Sequence, residues 1–407
     1  MNHYQLMNKD DIILEFSCER DEFDEPVFSE DSWLSDIKPI GFTEISSFLE
    51  RRKAPKHREH IQELLIKYGC NDIEGFIKVT HAASLNDTFW VRESDSSVVW
   101  NDISLFRNDF NELISIAAFE GIIPDEDISS TSPEFTTNGA YAKCWVREEG
   151  AIFLYKTGSA LYEIEPLSEF LATQLSTKLC VSPVSYDLDF FNEKLISKCA
   201  LFTDEKLGFV PMSRLFKQKI PVNELLDYFE KIGSGEDFRR MCVLDALIFN
   251  PDRHFGNFGV LFNNDTMDIL KMAPVFDNNR SLFYSVDENC MRNLSYYVRN
   301  AVPRLGTDFN ITASQLLTPS IRSDLKNLSG FKFEQHPEIE ASQQRLDNLS
   351  RLVNSQIDLV LNRVSVKSAV AVGKYNLGSL DLKIKDANNR AGADNQDFSH
   401  PAKDPER

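Results

Sequence analysis

No apolar run in this sequence approaches the roughly 18 uninterrupted residues that a membrane-spanning helix requires. Its opening residues, MNHYQLMNKDDIILEF, contain no apolar core of signal-peptide length. These two absences point to a soluble, cytoplasmic protein with no membrane segment, delivery out of the cell as an effector remaining open. Cysteine pairing is also missing. The seven cysteines are scattered, odd in number and free of any C-x-x-C spacing, which excludes a disulfide framework and a thiolate zinc site and reads as reduced thiols. Positive charge is scarce, with 44 Lys+Arg against 63 Asp+Glu and a net charge of −19. The overall field therefore argues against direct binding of nucleic acid or of an anionic membrane, although a local basic cleft can still hold a phosphate. No internal repeat and no G-x-x-x-x-G-K-[ST] phosphate loop is present.

The chain is 407 residues long, 42% hydrophobic and 26% charged, which suits a globular protein of two lobes with appendages. The early acidic stretch CERDEFDEPVFSEDSWLSD reads as loop. An amphipathic run follows, with His60, Ile61, Leu64 and Leu65 on one side of a helix and Gly69 at its end. The basic cluster Arg51, Arg52, Lys53, Lys56 and Arg58 ahead of it reads as a solvated helix start, with a phosphate patch as the other reading. Trp90 and Trp100 are expected to be core anchors. NDFNELISIAAFEG predicts a helix closed by Gly121 and a Pro124-Asp125 turn.

From about residue 130 the pattern becomes strand, turn, strand: TTNGAYAKCWV, the turn EEG, then AIFLYK, which places Lys156 at the end of an apolar strand. A lysine there must reach water or meet an anion. Gly139-Ala140 lies in the preceding turn, where free backbone N–H groups can approach a polyphosphate, with Lys143 nearby. The next helix, LYEIEPLSEFLATQLSTKL, carries Ile164, Leu167, Leu171, Leu175 and Leu179 on one face and Glu165, Glu169 and Ala172 on roughly the opposite face. Glu169, at mid-helix, is the better partner for a strand lysine. Glu165 and an exposed surface glutamate are the alternatives. Two more strands end near Ser197 to Thr203, where a connection between lobes and a nucleotide-base edge including Ser197 and Cys199 is expected. Segments 313–329 and 338–364 read as helices, and the sequence loses periodicity after about 366.

The most informative stretch is FNPDRHFGNFGVLF, residues 249–262, with the aspartate of MAPVFDNN, Asp277. It puts Asp252, His254 and Asn257 in six positions between a helix-like and a strand-like apolar run. Phosphoryl transfer needs such a set: one carboxylate to orient or deprotonate a hydroxyl, and an amide oxygen with a second carboxylate to hold Mg²⁺. The reading for His254 is that it orients the loop by hydrogen bonding. Asp245, seven residues before Asp252, either braces the loop or is a capped aspartate.

The string D-x-H-x-x-N, followed about twenty residues on by APVFD and preceded by GAYAK and a strand lysine, resembles the HipA-like serine/threonine kinases over roughly residues 80 to 365. The resemblance implies an α+β, two-lobed protein-kinase-like fold with a β-rich N-terminal lobe and a mainly helical C-terminal lobe. It divides the chain into 1–125, an N-terminal subdomain; 126–210, the nucleotide-binding part; 211–366, the helical lobe with the catalytic loop; and 367–407, a mobile tail. It further implies ATP and Mg²⁺ as cofactors, Asp252 as catalytic aspartate, Asn257 and Asp277 as metal ligands, Lys156 on the nucleotide phosphates and Gly139-Ala140 as the phosphate loop. A protein substrate, a small antitoxin partner and inhibitory autophosphorylation near the phosphate loop, at Thr136, Thr137 or Ser132, follow from the same likeness. Two departures stand out: no glycine follows Asp277, and His254 comes after the aspartate rather than before it. A lipid or small-molecule kinase, and a nucleotide-binding pseudokinase acting through a partner, are the competing readings.

Overall fold

The structure, a computed structural model, describes residues 1–123, 132–161 and 163–363. The expected Pro124-Asp125 turn and the tail from 367 onward lie outside the described residues. Met1–Leu361 form one compact unit. No described helix is long and apolar enough to cross a membrane.

The chain opens with strands β1 (Asn2–Asn8), β2 (Asp11–Arg20) and β3 (Pro26–Trp33). After helices α1 (Ile45–Glu50), α2 (Ile61–Lys67) and α3 (Ile73–Thr80) comes β4 (Phe89–Glu93), and the antiparallel sheet order is β3-β2-β1-β4. Period-2 alternation sends Tyr4, Leu6, Leu14 and Phe16 to a face covered by Leu49, Leu64 and Phe76 of the helices. Met7 and Trp90 pack on the other face with Trp100, from the short helix α4 (Trp100–Ile103). The expected tryptophan anchors are thus core residues, 0% and 2% exposed.

Two readings of this region need correction. The acidic stretch is not simply loop: its residues end β2 and make β3, an edge strand whose charges stay in solvent, a common device for blunting a sheet edge. Nor is the basic cluster merely a solvated helix start. Arg52 is buried and donates to both oxygens of Asp87 and to the carbonyls of Ala82 and Phe89. Arg58 is buried in an ion pair with Glu134 (2.7 Å), both side chains 0% exposed, and also donates to the carbonyls of Glu134 and Lys143. Arg52 ties the segment after α1 to the start of β4, and Arg58 ties the N-terminal region to the segment that carries Gly139-Ala140.

Helix α5 (Glu112–Glu120) ends at Gly121 in the left-handed conformation, as read from sequence. A 3₁₀ turn at Pro133–Thr136 leads into β5 (Lys143–Glu148) and β6 (Ala151–Thr157). Helix α6 (Glu165–Leu179), β7 (Asp187–Phe191) and β8 (Lys194–Ala200) follow, giving a second antiparallel sheet ordered β5-β6-β8-β7. Next come β9 (Leu207–Pro211) and helices α7 (Met212–Leu215), α8 (Val222–Lys231) and α9 (Gly235–Ile248). The hairpin of β10 (Gly259–Asn263) and β11 (Ile269–Met272) pairs with β9. Helices α10 (Ser295–Asn300), α11 (Phe309–Leu316), α12 (Pro319–Asn327) and α13 (Gln343–Asn362) complete the described chain. α9 is apolar on nearly every side because it runs through the largest core, among Phe229, Phe258, Ala313, Leu349 and Val353.

Arg58→Met leaves Glu134 buried without its cation and is expected to lower unfolding free energy by about 3–5 kcal/mol, read in urea denaturation. Adding Glu134→Leu is expected to restore much of that loss. An Arg58→Met protein as stable as the wild type would contradict a structural role for the pair.

Candidate active site

Helix α9 is built to stop where it does. Phe249 takes a left-handed conformation (φ 50°) and its N–H closes on the Asp245 carbonyl, turning the chain out of the helix into the polar loop. Asn250 then bonds back to Asp245 (3.2 Å) and accepts from the Asp252 N–H (3.0 Å). The residue that organises the loop is Arg253, 1% exposed. Its guanidinium pairs with Asp245 (3.0 Å), donates to the carbonyls of Asn257 (2.9 Å) and Phe276 (2.6 Å), and reaches Asn278 Oδ1 (2.6 Å). One side chain therefore fastens the end of α9, the 252–257 loop and the segment carrying Asp277 to each other. Asp245 is thus a brace, as one of the two sequence readings had it, acting through Arg253. The arginine itself was missed, because an arginine inside a polar loop reads as surface.

Within the loop, the His254 N–H donates to the Asp252 carbonyl (2.7 Å) and the Asn257 N–H to the His254 carbonyl (2.8 Å). His254 Nδ1 accepts from the Gly256 N–H (3.0 Å), and burial lowers the pKa of its imidazole. Its bonds are those of a loop-shaping residue. Asn257 donates through Nδ2 to the Asp252 carbonyl (3.0 Å), which anchors the nitrogen end of the carboxamide and leaves the oxygen end to accept. Asp252 itself meets two arginines that sequence reading did not find: Arg304 at 2.8 Å and Arg280 at 3.5 Å.

Across the cleft, register places Lys143, Lys156 and Ser197 side by side on β5, β6 and β8. Lys156 Nζ lies 2.9 Å from Glu169 Oε2 and 2.7 Å from Asp277 Oδ1. Glu169 also accepts from Ser197 Oγ (3.2 Å) and from the Asn278 N–H (3.1 Å). It is fully buried rather than exposed, because α6 packs on two sides: its leucine stripe meets the helical core and its acidic face meets the sheet. Glu165 is buried too, beside Gly158, and makes no pair with Lys156. Burial raises the Asp277 carboxyl, but the positive charges of Lys156 and Lys143 outweigh it and hold the group at about 2. Burial likewise pushes Lys143 down, helped by Lys156 and Arg58, to about 7.

Gly139 has φ 110°, a backbone state that residues with a side chain rarely adopt, so this turn favours glycine, and it lies directly against Lys143 Nζ. Gly139, Ala140, Thr136 and Thr137 line the same cleft as Lys156, Asp252, Asn257 and Asp277. Ser132 is buried, and its Oγ accepts from the Glu134 N–H (3.4 Å) at the start of the 3₁₀ turn. The hydroxyls of Thr136 and Thr137 both donate to the Pro133 carbonyl (3.2 and 2.7 Å). The connection between sheet and helical part begins only after Ala200. Ser197 therefore sits on the strand behind Glu169 rather than on that connection, while Cys199 lines the cleft.

No protein-family profile matches the chain, and no curated protein matches its sequence. Solved structures do match. HipA of Shewanella oneidensis MR-1, from a structure of the toxin–antitoxin system HipA, HipB and its operator DNA, superposes with a TM-score of 0.51 at 12% identity, covering 89% of this chain and 100% of that one. The Helicobacter pylori proinflammatory kinase CtkA matches with a TM-score of 0.42 at 18% identity, covering 54% of this chain and 93% of that one. The HipA match shows the fold: this chain has the two-lobed architecture of a HipA-like kinase.

Arg253→Ala is expected to destabilise the fold by about 3–5 kcal/mol, since it strands Asp245 as a buried uncompensated charge. Arg253→Lys keeps the charge but not the planar fork and is expected to recover only part. Urea midpoints of the two variants check this, with Lys falling between Ala and wild type.

Proposed function

We propose that the protein is an ATP- and Mg²⁺-dependent serine/threonine protein kinase. The observation that carries this reading is the convergence of the Lys156–Glu169–Asp277 cluster and the Asp252–Asn257 loop on one cleft. Two carboxylates share one ammonium there, and only Oδ1 of Asp277 is taken by Lys156. The donor set suits Mg²⁺: the Asn257 amide oxygen and the Asp277 carboxylate are hard ligands of the kind Mg²⁺ takes along with water and substrate phosphate oxygens. When bound, the ion neutralises charge on the transferred phosphoryl group.

The chain's own residues supply the remaining steps. Lys156, positioned by Glu169 and Ser197, holds the nucleotide phosphates, and the Gly139-Ala140 turn with Lys143 lies where backbone N–H groups meet the same oxygens. Asp252 orients the acceptor hydroxyl and takes its proton. The acceptor oxygen bonds to the γ-phosphorus while the bond from that phosphorus to the β,γ-bridging oxygen breaks, and ADP leaves with the electron pair. Arg253 keeps loop and metal-ligand segment at fixed separation. A small antitoxin partner, as HipB is to the HipA of the matched structure, belongs to the same proposal. So does inhibitory modification at Thr136 or Thr137, whose hydroxyls would first have to leave the Pro133 carbonyl.

Incubation with labelled ATP and Mg²⁺ is expected to label the chain or a protein of a cell extract, and Asp252→Asn to reduce labelling by three orders of magnitude or more. Labelling that persists in Asp252→Asn would sink the assignment.

Nucleotide binding should also move a proton. Lys143, held at about 7 in the free protein, gains a polyphosphate anion, so its pKa rises and a proton is taken up between about pH 7 and 8. Calorimetry in two buffers of different ionisation enthalpy reads this uptake, and Lys143→Met is expected to abolish it.

A further inference from the structure

The cleft around Asp252 is larger than a nucleotide requires. Its volume is about 1490 Å³, against roughly 300–1,000 Å³ for ordinary small-molecule sites, and it runs from the phosphate loop across α7 to the segment after α1. Its charge is opposite to that of the chain: ten lysines and arginines line it against six carboxylates, in a protein of net charge −19.

Half of those cations are already engaged. Lys156 serves Glu169 and Asp277, Lys143 lies under the phosphate loop, Arg52 pairs with Asp87, and Arg280 and Arg304 meet Asp252. Arg51, Lys53, Lys56, Arg214 and Lys217 make no ion pair among the described residues. Arg214 is the most informative of these. Burial, then the neighbouring charges of Arg51 and Arg52, push its guanidinium down to about 10, and it donates to the Arg51 carbonyl. Its position is fixed against the catalytic loop, because the N–H groups of Met212 and Ser213 at the start of α7 donate to the carbonyls of Phe258 (3.0 Å) and Phe255 (2.9 Å). Asp87, paired with Arg52, offsets part of this repulsion; otherwise, clustering like charges at a half-buried place is unfavourable unless a further anion joins them.

We infer that the acceptor hydroxyl is presented within an acidic stretch of polypeptide, with Arg304 and Arg280 taking a carboxylate beside the hydroxyl and Arg214, Lys217 and Arg51 taking carboxylates farther along the cleft. The inference rests on the kinase reading above and names its substrate class. Arg280 is set for this role: its guanidinium stacks on Tyr141 (5.4 Å), its Nε donates to the Tyr141 hydroxyl (3.1 Å), and its Nη1 lies 3.5 Å from Asp252. Discrete carboxylates fit this wall better than a continuous phosphate backbone, because Glu25, Glu50 and Asp252 interrupt the basic lining.

Two fluorescein-labelled decapeptides test the inference with the full-length chain, each with one serine, flanked in one by aspartates and in the other by lysines. Fluorescence anisotropy is expected to show at least tenfold tighter binding of the acidic peptide, weakening with salt. Lys217→Glu, an exposed change, and Arg214→Glu are each expected to erase most of the difference. With ATP and Mg²⁺, the same variants are expected to raise the KM for the acidic peptide at least fivefold, with less than a twofold change in the KM for ATP. Equal binding of both peptides, or preference for the lysine peptide, overturns the inference while leaving the kinase reading intact. A single-stranded oligonucleotide that outcompetes the acidic peptide, and loses its binding in Arg214→Glu, overturns it in favour of a nucleic-acid site. Selective acidic binding without phosphorylation of either peptide or of extract proteins supports the surface and counts against the kinase reading.

Discussion

The site depends on a single buried ion pair, Asp245 with Arg253. Neither charge can exist at that depth alone, since an unpaired buried ion costs several kcal/mol. Each therefore requires the other, and the remaining donors of Arg253 require oxygen partners. Those partners are the carbonyls of Asn257 and Phe276 and the carboxamide of Asn278. Satisfying one guanidinium in a dry interior thus forces the end of α9, the 252–257 loop and residues 276–278 into one geometry. Asp252 and Asp277, one residue away from Arg253 and Phe276, inherit their positions from that requirement.

A second cluster meets the first from the opposite lobe. Lys156 binds Glu169 and Asp277, and the Asn278 N–H binds Glu169, so Asp277 and Asn278 are held from both sides. Asp277 sits in the left-handed region (φ 59°), a backbone state an aspartate tolerates better than most residues do. No glycine stands in Asp277-Asn278-Asn279, and the Asn278 side chain is held by Arg253 and Asn250. The residue after Asp277 is consequently fastened by side-chain and backbone bonds, which an in-out switch of Asp277 would have to break.

Much of this was legible in sequence where chemistry and periodicity coincide. Strand alternation placed Lys156, capping signals ended α5 at Gly121, and the conjunction of D-x-H-x-x-N with Asp277 and Lys156 at compatible spacing singled out the loop. What sequence periodicity could not settle were positions where tertiary packing covers a polar face. Glu169 lies opposite a leucine stripe, which left an exposed glutamate open beside its reading as the lysine's partner, and the sheet buries it. Arg52 and Arg58 stand in a basic run that reads as solvated, yet each reaches back to a carboxylate far along the chain, Asp87 and Glu134. The roles of Arg253, Arg280 and Arg304 share this cause: an arginine's partner is set by three-dimensional proximity, which no local pattern encodes. The acidic edge strand β3 was misread for the converse reason, since charge at an edge is a sheet-protecting feature as well as a loop signature.

The distribution of charge follows from these constraints. Surface carboxylates give the chain its net charge of −19, and at physiological salt their field is screened within about 8 Å. Inside the cleft the screening is weaker, and there the excess is cationic. A strongly acidic protein that concentrates arginine and lysine in one depression repels anions nearly everywhere else, so an anionic ligand gains both attraction at the cleft and exclusion from competing surface sites. In the proposed function, nucleotide phosphates account for Lys143 and Lys156 but not for Arg214 or Lys217, which lie between the Gly139-Ala140 turn and the 252–257 loop in sequence and are tied to that loop through α7. The cationic lining therefore extends past Lys143 and Lys156 along the cleft, and under the proposed kinase function it makes charge, rather than shape, the property by which the cleft would select an acceptor.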